Sequence, residues 1–373
     1  MFKILKHSNK SYARLGKLKT THGVLHTPFF MPIATRGAIK SLTTDEMGDL
    51  GAEIILSNTY HLFLRPGDEI MKKVGGLHKF MKWPGAILTD SGGYQVFSLS
   101  KFRKISDQGV EFRSEIDGKK IFLTPEKVID IQKNIGSDIM MCLDECPGFG
   151  ASKKKVEEAI KRTTEWAERC KIANKNNKSQ LLFCIIQGGI FKDLREESLR
   201  SLLKAGFSAQ GGPASGWDGY AVGGLAVGEP VKEMYKVLDF LVDKLPEDKP
   251  HYLMGVGYPE QIVEGVKRGI DMFDCVIPTR HARHGDLFVW KNNELKGKFY
   301  DTIAIYKGKY AKDFKPLDKN CDCYACQNFS RAYLHHLYKT KEMLYYRLAT
   351  MHNIKFYLDL MGKIRKGIKS GKI

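Results

Sequence analysis

The sequence predicts an α/β protein, a (β/α)8 TIM barrel with an antiparallel sheet at its amino terminus and an inserted cysteine-rich subdomain. Three observations predict this fold. Short apolar segments alternate with amphipathic segments, polar residues directly follow the apolar segments, and three cysteines cluster near the carboxyl terminus. At 373 residues the chain is long enough for one large domain with an added module.

The first 30 residues predict a small antiparallel layer. Residues 11–31 alternate between apolar and polar side chains, and residues 18–24 contain turn signals. A second hairpin is predicted at residues 110–123, with its turn at Asp117-Gly118.

Seven apolar segments are candidate strands of the barrel, which we place within residues 31–290. Helix start signals lie between several of them. Thr43 and Glu46 match a capping box, and Thr124 is a candidate N-cap followed by Pro125. Repeated strand–helix units favour a parallel sheet, and this number fits a closed barrel better than the alternative, an open doubly wound sheet. The candidate strands are residues 53–57, 86–89, 139–143, 181–186, 220–225, 252–256 and 272–276.

Polar residues at the ends of these strands predict an active site, because the carboxyl-end face of a barrel gathers catalytic groups. Asp90, Asp144 and Asp274 all occupy such ends. Taken singly, each aspartate could be a turn or capping residue. Paired carboxylates support displacement at the anomeric carbon of a sugar, where one attacks and the other moves protons. The sequence contains neither a P-loop nor a G-x-G-x-x-G fingerprint, which disfavours nucleotide-driven and hydride-transfer chemistry.

Cys321, Cys323 and Cys326 place three thiols within six residues. Three thiolates and one imidazole saturate a tetrahedral Zn²⁺ and leave no open position for catalysis, so the pattern predicts one structural zinc ion per chain. We therefore predict a zinc-binding subdomain at residues 291–352, followed by a carboxyl-terminal helix with a basic tail at residues 353–373. The spacing leaves the fourth ligand open among His335, His336 and His352.

The chain is strongly basic, with 60 Lys and Arg against 42 Asp and Glu and a formal net charge of +18. This excess favours a polyanionic partner, most commonly a nucleic acid, over the alternative of a solvated basic surface. In the tail, Lys363, Arg365 and Lys366 are candidate phosphate contacts, or alternatively part of a solvated terminus.

A cytoplasmic protein without a membrane anchor is expected. The opening residues lack the apolar stretch of a signal peptide, and no apolar run is long enough to span a bilayer. The cysteines outside the cluster lie mostly in apolar segments, as is typical of reduced thiols.

An ordered set of motifs resembles the bacterial tRNA-guanine transglycosylases, also called queuine tRNA-ribosyltransferases, over nearly the whole chain. Such a set is far more specific than any single motif. The motifs are Thr89-Asp90-Ser91-Gly92-Gly93-Tyr94-Gln95, Asp144-Glu145-Cys146, Ile186-Gln187-Gly188-Gly189, residues 223–229, 252–257 and 273–280, and the cysteine cluster with His352-Asn353.

The resemblance implies exchange of guanine at the wobble position of the tRNAs for Asp, Asn, His and Tyr. The incoming base would be the 7-deazaguanine preQ1, as a step of queuosine biosynthesis. Asp274 would be the nucleophile on the ribose C1′ and form a covalent enzyme–RNA intermediate, while Asp90 would act as general acid and base. The family is usually a homodimer, and the resemblance makes His352 the fourth zinc ligand beside Cys321, Cys323 and Cys326.

The resemblance also implies a base pocket. Tyr94 offers a face for stacking, and Asp144 and Gln187 can pair with the polar edge of the base. Cys146 and residues 225–227 resemble the version of the family that takes preQ1 rather than queuine. The implied pocket residues are Tyr94, Asp144, Cys146, Gln187, Gly223, Gly224, Leu225 and Met254.

At the candidate RNA contacts the sequence departs from the family pattern. Arg280 and Arg283 are candidate RNA-binding residues. His281 and His284 replace small polar residues that are common in the family, so their roles are left open.

Two other function classes compete with a transglycosylase. A non-catalytic tRNA-binding subunit of the same fold would be expected to lose a catalytic aspartate, but Asp90 and Asp274 are both present. A glycoside hydrolase for small sugars would also use two carboxylates on a barrel, but it would explain neither the charge of +18 nor the cysteine cluster.

Overall fold

A computed structural model describes residues 1–95, 103–208, 216–292 and 294–373 of the chain. The strands of this part are β1 (Phe2–His7), β2 (Arg14–Thr20), β3 (Gly23–Thr27), β4 (Phe29–Met31), β5 (Ile54–Ser57), β6 (Ala86–Thr89), β7 (Arg103–Ser106), β8 (Gly109–Arg113), β9 (Lys120–Leu123), β10 (Ile139–Met141), β11 (Leu181–Ile186), β12 (Gly219–Val222), β13 (His251–Leu253), β14 (Met272–Asp274), β15 (Asp286–Trp290) and β16 (Tyr300–Ala304).

The helices of the described residues alternate with the strands along most of the chain. They are α1 (Thr44–Asp49), α2 (Thr59–Leu64), α3 (Asp68–Val74), α4 (Leu77–Met81), α5 (Pro125–Ile135), α6 (Lys153–Ala173), α7 (Lys192–Ser208), α8 (Val231–Leu241), α9 (Pro259–Lys267), α10 (Ile277–Arg283), α11 (Tyr324–Asn328), α12 (Arg331–Lys339) and α13 (Met343–Lys369).

Within the described ranges, eight strands form a parallel barrel in the order β4, β5, β6, β10, β11, β12, β13 and β14. Strand β14 pairs with β4, and the barrel closes where Ala34 N donates to Leu56 O (2.7 Å) and Leu56 N donates to Pro32 O (3.0 Å). The strands follow chain order around the barrel, as in a (β/α)8 fold. The predicted fold class is confirmed, and the open doubly wound alternative does not fit a sheet that closes on itself.

Strand β4 is the barrel strand that the sequence pattern misses. All seven predicted segments overlap an observed strand, but Phe29–Met31 lies at the end of the region assigned to the amino-terminal layer. A single residue, Pro28, separates β4 from β3. The apolar pattern therefore continues from one strand to the next without a turn signal, and the change of sheet leaves no local trace.

Alternation of side chains directs two carboxylates into the barrel. In β14, Met272 belongs to the interior cluster and Phe273 packs against the surrounding helices. Asp274 is the next inward position. Leu88 of β6 is also interior, so Asp90 follows it on the same face. Both aspartates therefore point toward the mouth of the barrel at the carboxyl ends of its strands.

The antiparallel sheet β1–β2–β3 closes the opposite end of the barrel. Leu18 and Leu25 belong to the interior cluster. Arg14 Nη2 lies 2.6 Å from Asp271 Oδ2 in a buried ion pair, and Asp271 directly precedes β14. The predicted amino-terminal layer is confirmed, and these contacts attach it to the amino ends of the barrel strands.

Helix α13 connects the barrel to the cysteine-rich module. Leu360 and Ile364 are fully buried in the main core, whereas His352 of the same helix lies beside the cysteines. One unbroken helix therefore crosses the predicted boundary between residues 352 and 353. The module's hairpin, β15 with β16, begins at Asp286, before the predicted start at residue 291.

Local sequence signals are matched by local structure. The hairpin predicted at residues 110–123 is formed by antiparallel β8 and β9. Thr43 and Glu46 form the expected capping box, and the Thr124 side chain accepts from Lys127 N ahead of Pro125. No helix among the described residues has the length and apolar character needed to cross a bilayer.

Candidate active site and metal centre

Asp90 and Asp274 lie near each other at the mouth of the barrel, close enough for the charge of one to act on the other. Asp274 ends β14, and Asp90 directly follows β6. Burial, together with the nearby charge of Asp274, raises the pKa of Asp90 to about 7. Since the second carboxylate affects the ionisation of the first, the two groups share one site. A carboxyl group with a pKa near neutrality is suited to both donating and accepting a proton.

A network of donors holds the Asp90 carboxylate. Thr59 N donates to Asp90 Oδ1 at 3.0 Å, and Gly92 N donates to the same oxygen at 3.2 Å. The Asn58 side-chain amide donates to Oδ2. Sequence reasoning did not identify Asn58 and Thr59. They follow β5 directly, so the polar-residue signal at strand ends applies to them as well.

Asp274 is held on one oxygen. Tyr252 OH donates to Oδ1 at 2.6 Å, and Gly255 N donates to the same atom at 2.8 Å. Burial raises the pKa of Asp274, and these two hydrogen bonds oppose that rise. Among the described residues, none donates a hydrogen bond to Oδ2, so this oxygen can contact a bound ligand. Sequence reasoning gave Tyr252 no role, although alternation in β13 would have placed it inside the barrel.

Asp144 and Gln187 form a buried polar pair beside the two carboxylates. Gln187 Nε2 donates to Asp144 Oδ2 at 2.7 Å, and Ser91 Oγ donates to Oδ1 at 3.0 Å. Burial raises the pKa of Asp144 to about 6. Gln187 Oε1 is buried without a hydrogen-bond partner among the described residues. An acceptor in this state is a natural contact for a bound polar ligand.

Gly223 and Gly224 leave room for the Gln187 side chain. A Cβ on Gly224 would lie 2.4 Å from Gln187 Oε1, and one on Gly223 would lie 2.8 Å from Nε2. Gly224 also has a φ of 64°, a left-handed conformation that disfavours other residues. The backbone of these glycines therefore lies directly against the Gln187 side chain.

The loop after β12 continues past these glycines. Leu225 is buried against the main core. Ala226 has a φ of 58°, and its N–H donates to Glu229 Oε1 at 2.5 Å, while Val227 N donates to Oε2 at 3.0 Å. Glu229 therefore holds the loop, a role that its position ahead of a helix did not reveal in the sequence.

Tyr94, Cys146 and Met254 lie around the same mouth. Tyr94 is half exposed and belongs to a short helical segment at residues 93–95, at the edge of the described chain. Burial raises the pKa of Cys146 to about 12, so this thiol is neutral at pH 7. Met254 follows β13 and packs against the barrel interior.

Helix α10 follows Asp274 and carries the predicted RNA contacts. Arg280 is exposed, and Arg283 is partly buried with its Nη1 donating to Thr279 O at 2.9 Å. His281 stacks on Phe288 with ring centroids 5.4 Å apart. The histidine therefore packs into the module rather than standing free at the surface.

The basic tail lies at the other end of the barrel. Arg365 Nη1 donates to Pro28 O at 2.9 Å, and Pro28 precedes β4 at the amino-end face. Lys363 Nζ lies 4.5 Å from the centroid of the Trp290 ring, whereas Lys366 is exposed. The structure thus places Arg365 at the amino-end face, away from the mouth.

Four buried side chains form a candidate metal centre. The ligand atoms of Cys321, Cys323, Cys326 and His352 all lie within 4.8 Å of one another. His352 Nδ1 is 3.3 Å from Cys326 Sγ and 3.7 Å from Cys323 Sγ. These residues could hold a metal ion.

The surroundings of His352 fit metal ligation. Its Nε2 lies 2.5 Å from Phe288 O, which holds the proton on Nε2 and leaves the Nδ1 lone pair facing the thiols. Hydrogen bonds from Cys321 and Cys326 lower the pKa of the Cys323 thiol. His335 instead contacts Ile305 O through Nδ1 at 2.7 Å. Of the three candidate histidines, the structure brings His352 to the cysteines.

Comparison with known proteins gives a consistent result. The family model described as Queuine tRNA-ribosyltransferase matches residues 8–373. A Queuine tRNA-ribosyltransferase from Caldanaerobacter subterraneus subsp. tengcongensis is 53% identical over 372 residues, covering 100% of this chain and 94% of the relative. Proteins of the same description from Desulforamulus reducens and Dictyoglomus turgidum are 52% and 50% identical, covering 100% of this chain and 95% and 92% of the relatives.

Proposed function

Because the chain belongs to the queuine tRNA-ribosyltransferase family, we propose that it exchanges guanine at the tRNA wobble position for preQ1 by double displacement. The chain is a tRNA-guanine transglycosylase of queuosine synthesis. The specific base, the tRNAs for Asp, Asn, His and Tyr, and the mechanism are the proposal. The observation that carries it is the proximity of Asp90 and Asp274 at the carboxyl ends of two barrel strands.

In the first step, Asp274 Oδ2 attacks the ribose C1′ of a flipped-out nucleotide. The bond from C1′ to guanine breaks, and protonated Asp90 gives its proton to the departing base. Tyr252 and Gly255 hold the other oxygen of Asp274, so the attacking oxygen is oriented. The product is a covalent enzyme–RNA intermediate.

In the second step, preQ1 gives a proton to Asp90 and its ring nitrogen attacks C1′. The bond from C1′ to Asp274 breaks, the carboxylate is restored and Asp90 is protonated again. Two inversions retain the configuration at C1′. Because the pKa of Asp90 is about 7, the group can move a proton in each direction near neutral pH.

The base would be recognised by the buried pair of Asp144 and Gln187. The unpartnered Gln187 Oε1 supports a polar contact to the base edge. Leu225 and the Gly224 backbone would border the base, and Tyr94 would stack on it. Removing the nucleotide from the anticodon stack costs a few kcal/mol.

The RNA backbone would be held by the basic surface, with Arg280 and Arg283 nearest the reacting ribose. Any contact from Lys363 or Lys366 would involve tRNA away from the flipped nucleotide, because the neighbouring Arg365 sits at the opposite face of the barrel. A tRNA substrate supports a cytoplasmic location for the activity.

We propose that the four-ligand centre holds Zn²⁺. A Cys3His set is saturated by tetrahedral zinc, so the ion would stabilise the module and leave no open position for substrate. We also propose a homodimer. Exposed Phe314, Tyr324 and Tyr333 on the same module support it, since large apolar side chains there favour burial. Sedimentation that yields only the monomer mass would contradict the dimer.

The central experiment is exchange of radiolabelled guanine into unmodified tRNA. Wild-type protein should incorporate label, and it should form an adduct with tRNA that survives denaturant. Asp274→Ala should abolish both. If this variant still forms the adduct, the nucleophile is misassigned. Kinetics with guanine, preQ1 and queuine side by side test the choice of base.

The alternative of a non-catalytic tRNA-binding subunit makes the opposite prediction. Such a protein would bind tRNA tightly but incorporate no guanine when pure. Retention of both carboxylates at one site supports the catalytic proposal over this one.

A further inference from the structure

Arg195 lies fully buried beside the loops that carry Gln187 and Gly224. It belongs to the first turns of α7. Its Nη1 donates to Ile186 O at 2.7 Å, its Nε donates to Gly189 O at 2.9 Å, and its Nη2 donates to Gly224 O at 3.4 Å. One guanidinium therefore joins the loop after β11 to the loop after β12.

The loop after β11 is built to admit this side chain. Gly188 has a φ of 137°, and a Cβ there would lie 2.8 Å from Arg195 N and 3.0 Å from Arg195 Cδ. Gln187 N also donates to Ser198 Oγ, one turn further along α7, at 3.1 Å. The position of α7 therefore fixes the position of the backbone at the end of β11.

The guanidinium is buried without an ion pair. Among the described residues, its hydrogen bonds go to carbonyl oxygens alone, and no carboxylate lies within ion-pair distance, although the charge of Glu229 acts on it from further away. Burial lowers its pKa to about 10, so it stays charged at pH 7. Burying an unpaired cation is costly, and a well-packed apolar side chain would fill the same volume at lower cost. A residue of this kind at this place calls for a role beyond packing.

We propose that Arg195 is a positioning residue for base recognition, which fixes the two loops that present Gln187 and the Gly224 backbone to the base. The guanidinium is planar and presents several donors in a fixed arrangement. It can therefore bind three carbonyls at once, around the carboxyl ends of two neighbouring strands. A lysine ammonium at the same place is a point charge without this geometry. This inference rests on the proposed function, because it assigns the base to this pocket.

The test compares Arg195→Lys with Arg14→Lys. Arg14 is also a buried arginine, and it donates to the carbonyls of Glu247 and Lys249, but it lies at the closed end of the barrel. Both variants should lower the melting temperature. Arg195→Lys should raise the KM for guanine and for preQ1 by tenfold or more while the KM for tRNA changes less than twofold. Arg14→Lys should leave both KM values unchanged.

Ser198→Ala serves as a milder second variant, because it removes the support of Gln187 N without disturbing a charge. It should raise the KM for the base in the same direction by a smaller factor. Equilibrium dialysis of free preQ1 should show the same order of affinities.

An unchanged base KM in both Arg195→Lys and Ser198→Ala, with the proteins folded, would overturn the inference. A rise in the tRNA KM alone would overturn it as well. Failure of wild-type protein to exchange guanine at all would instead refute the proposed function, so the two failures are distinguishable.

Discussion

Replacing Tyr252 by phenylalanine should shift the pH dependence of the first chemical step. Tyr252 OH donates to Asp274 Oδ1 at 2.6 Å inside the barrel, and this hydrogen bond lowers the pKa of Asp274 against the effect of burial. Without the hydroxyl, this hydrogen bond no longer opposes the rise in the pKa of Asp274 that burial causes. The pKa of Asp274 in the variant should therefore rise.

The size of the shift follows from the strength of the hydrogen bond. A hydrogen bond to a charged group contributes about 1.5–3 kcal/mol. Since one pKa unit corresponds to about 1.36 kcal/mol, the loss should raise the pKa of Asp274 by roughly one to two units. The attacking form of Asp274 is ionised, so the rate falls as pH drops below its pKa. The acid limb of the profile should move to higher pH by the same amount.

The assay measures the single-turnover rate at which the denaturant-stable tRNA adduct forms. The rate is measured between about pH 5 and pH 9, so that groups titrating near neutral pH are covered on both sides. Tyr345→Phe is the matched control, because Tyr345 is also fully buried and its OH donates to Ala282 O at 3.0 Å, far from the carboxylates. Both variants should lose about 1 kcal/mol of stability. An acid limb that stays in place, or moves to lower pH, in Tyr252→Phe would refute the reasoning.

Four further predictions follow from the site. The pKa of Asp144 is raised from 3.8 to about 6, so the folded state binds more protons and stability falls as pH rises through that window. In Asp144→Asn, the Gln187 amide can turn so that its oxygen accepts a hydrogen bond from Asn. This variant should therefore be more stable than wild type at pH 8 by up to about 3 kcal/mol in urea titrations. It should also lose base binding. Gly224→Ala should cost about 1–3 kcal/mol and raise the KM for the base, because its Cβ would meet Gln187. Cys323→Ser should lose bound metal by elemental analysis and melt at lower temperature, and full metal content would show a different ligand set. Affinity for tRNA should fall steeply between about 50 and 200 mM salt in filter binding, and a flat salt profile would contradict phosphate contacts.

Much of the site could be predicted from local pattern. Asp90 and Asp274 continue the inward alternation of their strands, and that periodicity can be read directly from the sequence. Likewise, three cysteines within six residues are close enough in the chain to share a metal, whatever the rest of the fold.

The groups that support the carboxylates could not be predicted in this way. Thr59 reaches Asp90, and Tyr252 reaches Asp274, across neighbouring elements of the barrel. No local motif marks Arg195, because the carbonyls that accept its hydrogen bonds lie in the loops after two different strands. Such partners depend on how strands and helices are arranged around the barrel, and no spacing along the chain records that arrangement.

By itself, the sequence determined the element types, the inward faces and the three-thiol cluster, since these depend on interactions between residues close in the chain. Tertiary structure decided that β4 closes the barrel and that Arg365 faces away from the mouth. It also brings His352 rather than His335 to the cysteines, a choice that residue spacing left open and that the family resemblance had implied. Each of these outcomes brings together residues far apart in the chain. The closing of the barrel and the packing of α13 against it set those distances, and local periodicity carries no information about either.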